Sequence, residues 1–128
     1  MLFISPRLHG IFDYLLALAL VLAPWVTDMS DTLGPALTSV GIGMVILTIA
    51  LTTDYEMGLV RAIPLSLHIF LDVILGLFLV FSPWLMNFGT NVPHGLLQVA
   101  GGALIAVSAF TVRMQSNKRV VTQYIQWV

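Results

Sequence analysis

Two histidine–aspartate pairs are the only strongly polar or ionisable groups within the long apolar stretches of this 128-residue chain. His9 and Asp13 form the first pair, and His68 and Asp72 form the second. Each aspartate follows its histidine by four positions, so on a helix the two side chains lie on one face, about a turn apart. We therefore take these four residues as the candidate polar or ion site.

Four interpretations of these pairs remain open at this point. Hydrogen bonds within or between the pairs would make them a structural clamp, and acids in a first turn also suit the helix dipole. Two imidazoles and two carboxylates could instead ligate a metal, or the carboxylates could orient the histidines. Two facing histidines could ligate haem, although aspartate four residues later is not typical of haem sites. A proton or small-ion path is the fourth interpretation, because histidine exchanges protons near neutral pH.

The composition indicates a membrane protein. Hydrophobic residues make up 59% of the chain and charged residues only 9%, whereas soluble domains are about one-quarter charged. So few charges could not cover a soluble domain, and the apolar excess excludes a disordered chain. A net charge of −1 provides no basic surface for nucleic acid. The absence of cysteine excludes disulfides, thiolate metal ligands and cysteine nucleophiles.

Apolar stretches of the length needed to cross a bilayer, about 20 residues, occur four times. We therefore predict an all-α fold of four transmembrane helices. The predicted spans are 7–26, 32–53, 65–84 and 93–113.

The two halves of the chain are similar to each other at an offset of 59 residues. Nine of the eighteen positions from Leu8 to Trp25 are identical to their counterparts in the second half. The repeating unit is a two-helix hairpin, and its even number of crossings predicts two hairpins in parallel orientation. We divide the chain into a first repeat at 1–60, a second at 61–113, and a tail at 114–128. The tail is predicted to be an amphipathic helix on the membrane surface, with a strand as the alternative.

A similar tripeptide closes the first helix of each hairpin. It is Ala23-Pro24-Trp25 in the first half and Ser82-Pro83-Trp84 in the second. Proline frees a helix carbonyl, which a serine hydroxyl or water can satisfy, and tryptophan favours the membrane interface. We interpret both motifs as helix terminators with interfacial anchors, and a ligand site between the two tryptophans is the alternative. This duplicated hairpin resembles the SPW-repeat family of small bacterial membrane proteins. The resemblance implies architecture and carries over no catalytic residue.

Small residues at steps of three and four in the second helix of each hairpin predict a helix-packing seam. We expect it to face the other repeat or another subunit, and we expect Gln98 to form an interhelical hydrogen bond. His94 is expected at the interface on the opposite side from the two His–Asp pairs. The seam comprises Ala36, Ser39, Gly43, Ala50, Gly95, Gln98, Gly102, Ala106 and Ala109.

All five basic residues fall on one side of the predicted topology, which favours cytoplasmic termini in a bacterial inner membrane. Lipid is the expected partner, together with a homo-oligomer or a larger membrane complex, and nucleic acid is not. No catalytic motif is present, so we predict neither an enzyme nor a cofactor. The favoured function is a non-enzymatic scaffold or interaction subunit. The alternative is a proton, small-ion or metal transporter that uses the paired His–Asp residues.

Overall fold

The computed structural model describes residues 4–89 and 93–112, which form four α-helices. Each helix is long and apolar enough to cross a membrane. The predicted all-α fold with four membrane-spanning helices is confirmed, and the chain is a small multi-pass membrane protein. The predicted tail at 114–128 lies outside the described residues. The helices are α1 (Pro6–Val26), α2 (Leu33–Thr52), α3 (Leu65–Leu85) and α4 (Pro93–Thr111).

Local sequence signals account for where the helices begin and end. Ser5 precedes α1, and its hydroxyl accepts a hydrogen bond from the Leu8 amide at 3.2 Å, as N-cap serines do. Pro6 occupies the first helical position, where a missing N–H costs nothing. Past the C-terminal ends of α1 and α3, Asp28 and Asn87 both have φ of 56°, a left-handed conformation that these residue types tolerate.

Each helix packs most extensively on its own hairpin partner, α1 on α2 and α3 on α4. A Cβ atom built on Gly102 would lie 2.5 Å from the carbonyl oxygen of Gly76, so the backbones of α3 and α4 are in direct contact there. In the first hairpin a Cβ atom on Gly43 would lie 2.9 Å from the carbonyl oxygen of Ala17. Gly43 and Gly102 of the seam therefore face the partner helix of their own hairpin, which corrects the expectation that the seam faces the other repeat or another subunit.

The two hairpins are tied together at the end of the bundle where α1 and α3 begin. The Asp54 amide, just after α2, donates to the Ile63 carbonyl oxygen at 2.8 Å. The Ile4 amide donates to the Thr111 carbonyl oxygen at 3.0 Å. The start of each hairpin is thus held beside the end of the other, and α3 begins and ends 59 residues after α1.

The middle of the bundle is an apolar core, and the outward faces of the helices are also apolar. Aliphatic side chains from all four helices form the core, whereas large leucine, phenylalanine and valine side chains are exposed on the outside, as expected in lipid. The core residues are Leu16, Ala17, Leu20, Ile46, Leu79 and Ile105.

Candidate functional site

The two His–Asp pairs converge into one closed loop of polar contacts between α1 and α3. Asp72 Oδ2 lies 2.9 Å from His9 Nε2 and 2.9 Å from His68 Nε2. Asp13 Oδ2 lies 3.0 Å from His68 Nε2 and 3.4 Å from His9 Nε2. All four residues are fully buried. We call these four residues the His–Asp cluster.

The position of the His–Asp cluster follows from the helix bounds and the packing. His9 and His68 each lie at the fourth position of their helix, near the end where the two hairpins are tied together. The helices α1 and α3 make no close backbone contact with each other. The four long side chains therefore bridge the space between two helices whose backbones stay apart.

The second nitrogen of each imidazole is held by a hydroxyl group. His9 Nδ1 lies 3.0 Å from Ser108 Oγ, and that hydroxyl donates to the Ile105 carbonyl oxygen at 2.9 Å. His68 Nδ1 lies 2.8 Å from Thr53 Oγ1.

The Thr53 hydroxyl likewise donates to a backbone carbonyl oxygen, that of Ile49, at 2.6 Å. A hydroxyl has one proton to donate, so in both cases its oxygen accepts from the imidazole Nδ1–H. Both histidines consequently carry a proton on Nδ1 and direct Nε2 at the carboxylates.

This arrangement determines how many protons the His–Asp cluster needs. With Nδ1 protonated, a neutral imidazole has a bare Nε2, and a bare nitrogen cannot hydrogen bond to an ionised carboxylate. Each cross-helix pair, His9 with Asp72 and His68 with Asp13, therefore holds one proton between Nε2 and Oδ2. Two shared protons make the cluster electrically neutral, whichever atom carries each of them.

Two carboxylate oxygens in the His–Asp cluster have no partner among the described residues. Asp13 Oδ1 and Asp72 Oδ1 are buried and accept no hydrogen bond. A buried polar atom without a partner costs about 1–3 kcal/mol. The cluster therefore retains unused acceptor capacity inside the bundle.

Tyr55, in the connection between α2 and α3, covers the same end of the bundle. Its ring lies 5.5 Å from the ring of His68. A Cβ atom on Gly10 would lie only 2.6 Å from the Tyr55 hydroxyl oxygen, so glycine at that position makes room for the side chain. The Tyr55 hydroxyl is buried and has no hydrogen-bond partner among the residues that the structure describes. Burial raises the pKa of Tyr55 above its usual value.

The packing of the His–Asp cluster bears on the haem interpretation. The rings of His9 and His68 are 5.4 Å apart, and the Oδ2 atom of Asp72 lies within hydrogen-bonding distance of both Nε2 atoms. A haem macrocycle would need the space that this carboxylate occupies. The arrangement fits a small cation much better than haem.

A second polar network lies at the opposite end of the bundle and is centred on His94. His94 is the second residue of α4 and is fully buried by its neighbours; its interfacial depth stays a prediction. Its Nε2 donates to the Pro35 carbonyl oxygen at 3.0 Å, and its Nδ1 lies 3.2 Å from Thr27 Oγ1. Gln98, four residues later, contacts His94 and also hydrogen bonds to Ser82 on α3, as the predicted interhelical bond requires. This network links three helices without any carboxylate.

In both proline motifs, a serine hydroxyl donates to the helix carbonyl oxygen that the proline leaves without a donor. A proline has no N–H for the carbonyl four residues earlier. In the second half Pro83 frees the Leu79 carbonyl oxygen, and the Ser82 hydroxyl donates to it at 2.8 Å. The tripeptide serine thus satisfies the carbonyl that its own proline exposes.

The first half has Ala23 in place of that serine, and another residue replaces its hydroxyl. Pro24 frees the Leu20 carbonyl oxygen, and Ser39 on α2 donates to it at 2.7 Å. Ser39 is fully buried. The degenerate motif therefore keeps the hydrogen bond but takes its donor from the neighbouring helix.

A family model described as SPW repeat domain matches residues 7–112 of the chain. The chain belongs to the SPW repeat family. No curated protein and no solved structure matches it. In this SPW repeat protein, Trp25 and Trp84 are 64% and 59% exposed and point away from the bundle core. That exposure supports the interpretation of the tryptophans as outward anchors.

Sequence reasoning identified all four members of the His–Asp cluster in this SPW repeat protein but missed the residues behind it. Ser108 could have been found, because it shares the buried face of α4 with Gly101 and Ile105. No sequence pattern indicated Thr53, because it follows α2 and comes close to His68 only once the α2–α3 connection has folded. Ser108 and Thr53 do not correspond under the 59-residue offset, so the repeat alone could not identify them.

Proposed function

We propose that this SPW repeat protein is a non-enzymatic membrane protein that binds a cation in its His–Asp cluster. The observation that carries the proposal is the closed loop of contacts in which two buried Nε2 atoms face two buried carboxylates. Because both Nδ1 atoms are committed to hydroxyl groups, Nε2 is the atom that each histidine offers to a cation.

Charge is the first argument for a bound cation. Two ionised carboxylates within a low-dielectric interior are strongly disfavoured unless positive charge compensates them. The two shared protons supply that compensation in one state, and a metal ion could supply it in another. Apolar side chains in place of the cluster would need neither protons nor a metal ion. Burying these charged groups therefore costs more free energy than holding two helices together requires.

The position of the His–Asp cluster supports binding rather than conduction across the bundle. The cluster lies near one end, and the His94 network lies near the other. Between them the side chains of Leu20, Leu79 and Ile105 are almost completely buried in the apolar core. Conduction would require this core to open, whereas binding needs access from one end only.

The hydroxyl groups beside the His–Asp cluster support the non-enzymatic part of the proposal. The hydroxyls of Ser108 and Thr53 both donate to backbone carbonyl oxygens, so neither is poised as a nucleophile. The outward faces of the helices are apolar and suit lipid or other membrane helices. A role as an interaction subunit or homo-oligomer is compatible with cation binding and stays a prediction.

We propose that the end with the His–Asp cluster faces the cytoplasm of a bacterial inner membrane. Arg7 and Arg61 lie at this end, where Arg7 is 3.4 Å from Glu56 and Arg61 is 3.8 Å from Asp54. The α1–α2 connection at the other end contains no Lys or Arg. Basic residues favour the cytoplasmic side, so a cation would enter the cluster from there.

The stability of the purified protein in detergent tests the proposal. Alkaline pH removes the shared protons and leaves uncompensated carboxylates, so the midpoint of thermal unfolding should fall as pH rises. Adding a divalent metal at alkaline pH should restore it. The double variant Asp13→Asn with Asp72→Asn removes both carboxylates and should lose the metal response and the pH response below the ordinary tyrosine range.

A matched control removes the same number of carboxylates from an exposed connection. The double variant Asp28→Asn with Asp31→Asn should keep the wild-type responses to pH and metal, because both side chains are exposed. Proteoliposomes containing the wild-type protein should show no cation flux above empty vesicles. Equal pH and metal responses in the two double variants would contradict the proposed function.

A further inference from the structure

We propose that the His–Asp cluster is a tetrahedral site for one divalent transition-metal ion of the zinc class. The ligands are Nε2 of His9, Nε2 of His68, and one carboxylate oxygen each from Asp13 and Asp72. The inference rests on the proposed function, since it names the cation that the cluster binds.

The distances between the ligand atoms fit such an ion. The four ligand atoms all lie within 4.8 Å of one another. In a tetrahedral zinc site with bonds of about 2.0–2.1 Å, neighbouring ligand atoms are about 3.3 Å apart. The observed N–O distances run from 2.9 to 3.4 Å. The N–O distances therefore match a tetrahedral site to within a few tenths of an ångström. The widest pair of ligand atoms, separated by up to 4.8 Å, would have to move closer together as the ion binds.

The hydrogen bonds behind the ligands are those that metal-binding histidines require. A ligating histidine generally donates its other ring N–H to an oxygen, which sets its tautomer and orients its ring. Ser108 accepts from His9 Nδ1, and Thr53 accepts from His68 Nδ1. Each hydroxyl is itself anchored to a backbone carbonyl oxygen. The site is therefore oriented before any metal binds.

Charge balance favours a divalent ion specifically. Two neutral imidazoles and two ionised carboxylates carry a charge of minus two, so one divalent ion makes the complex neutral. Binding forms four metal–ligand bonds and releases the two protons shared between Nε2 and Oδ2. No oxidant or reductant is involved. The total charge of the buried cluster is the same before and after exchange, which suits a membrane interior.

The ligand set discriminates among divalent ions. Mg²⁺ and Ca²⁺ favour six or more oxygen ligands, whereas this cluster offers two nitrogen ligands in a confined space. Cu²⁺ favours tetragonal geometry, which a tetrahedral site accommodates less well. The unpartnered Oδ1 atoms of Asp13 and Asp72 provide further oxygen donors if the ion expands its coordination.

Metal titration of the full-length protein in detergent tests the inference. Zn²⁺ should bind with a stoichiometry of one per chain and release two protons, measured with a pH indicator in weak buffer. The apparent affinity should fall about a hundredfold for each unit by which pH is lowered, because two protons compete with each metal ion. Co²⁺, used as a coloured probe, should give the intense visible absorption of a tetrahedral site, and Zn²⁺ should displace it.

Two variants of the cluster and one control separate a metal site from a structural clamp. His68→Gln and the near-isosteric Asp72→Asn should each lower Zn²⁺ affinity at least a hundredfold and abolish the Co²⁺ absorption. His94→Gln removes the other buried helix histidine described, which lies outside the cluster, and should leave both unchanged. Circular dichroism establishes that each variant is folded, and Asp72→Asn is the decisive one if His68→Gln fails to fold.

The outcomes distinguish this inference from the proposed function. If Zn²⁺ and Co²⁺ fail to bind the wild-type protein while its stability still depends on pH through Asp13 and Asp72, the metal site is refuted, and of the proposed function only proton binding by the cluster stands. If that pH dependence is also absent, both proposals fail. Metal binding that survives Asp72→Asn but is lost in His94→Gln would place the ion elsewhere and overturn the inference.

Discussion

Replacement of Ser39 by alanine tests whether a hydroxyl from α2 stands in for the missing serine of the first tripeptide. Ser39 donates to the Leu20 carbonyl oxygen at 2.7 Å, and Pro24 offers that carbonyl no N–H. Ser39 and Leu20 are both fully buried. In Ser39→Ala the carbonyl therefore has neither its helical donor nor water.

The expected cost follows from the burial of that carbonyl. A buried acceptor left unpaired costs about 1–3 kcal/mol, whereas hydrogen bonds between membrane helices average about 0.6 kcal/mol. Since proline removes the usual alternative donor, we expect Ser39→Ala to lower the free energy of unfolding by about 1–2 kcal/mol. Reversible unfolding in mixed detergent micelles, followed by circular dichroism, measures this difference.

The second half of the chain suggests the rescue experiment. Ser82 satisfies the carbonyl freed by Pro83, so a serine at position 23 should do the same for Leu20. We expect Ala23→Ser combined with Ser39→Ala to recover at least half of the lost stability. Ala23→Ser alone should change it by less than about 0.5 kcal/mol, because the carbonyl is already paired.

Ser66→Ala provides the matched control, because Ser66 is a helical serine with an exposed side chain. It should change the free energy of unfolding by less than about 0.5 kcal/mol. The reasoning is refuted if Ser39→Ala costs no more than Ser66→Ala. It is also refuted if Ala23→Ser leaves the Ser39→Ala protein as unstable as before.

Three further predictions concern the helix contact, the hydroxyl behind the cluster and the covering tyrosine. Gly102→Ala places a Cβ atom against the α3 backbone and should destabilise by about 1–3 kcal/mol. Gly41→Ala, with open space around it, should stabilise by up to about 1 kcal/mol in the same unfolding assay; equal effects would disprove the close contact. Ser108→Ala should lower Zn²⁺ affinity about 10–100-fold in a competition titration, and unchanged affinity would remove its orienting role. Burial raises the pKa of Tyr55, so the neutral side chain contributes stability below the ordinary tyrosine range, and this contribution is lost as pH rises above that range. At strongly alkaline pH, Tyr55→Phe should therefore unfold less readily than the wild-type protein. Identical midpoints of alkaline unfolding would contradict this expectation.

The fold could be predicted in outline because each transmembrane helix is formed by one continuous apolar stretch of sequence. Length, apolar character and bounding charges, prolines and turn residues located all four helices to within a few residues, and the predicted 65–84 span compares with Leu65–Leu85 in the structure. The partner of the packing seam was not predictable, because a stripe of small residues shows that a helix is approached closely but not by which helix. The contact of Gly102 with Gly76 answers that question for the second hairpin.

The candidate site could be predicted only in part, for a related reason. The spacing of His9 and Asp13 shows that they share a helix face, and the repeat shows the same for the second pair. Whether each histidine binds its own aspartate or the other one depends on the distance between α1 and α3. The structure shows both kinds of contact, with three of the four at 2.9 to 3.0 Å.

Sequence alone therefore determined the class of the protein, its four helices, the duplication and the identity of the four polar residues. These properties follow from composition and from spacings of a few residues, which local helix geometry converts directly into position. Tertiary structure decided that the two pairs form one closed cluster, that Ser108 and Thr53 set the histidine tautomers, and that Ser39 replaces a motif serine on another helix. Those facts depend on which hydrogen-bonding groups from distant segments come into contact inside the bundle. A local sequence pattern does not specify such contacts.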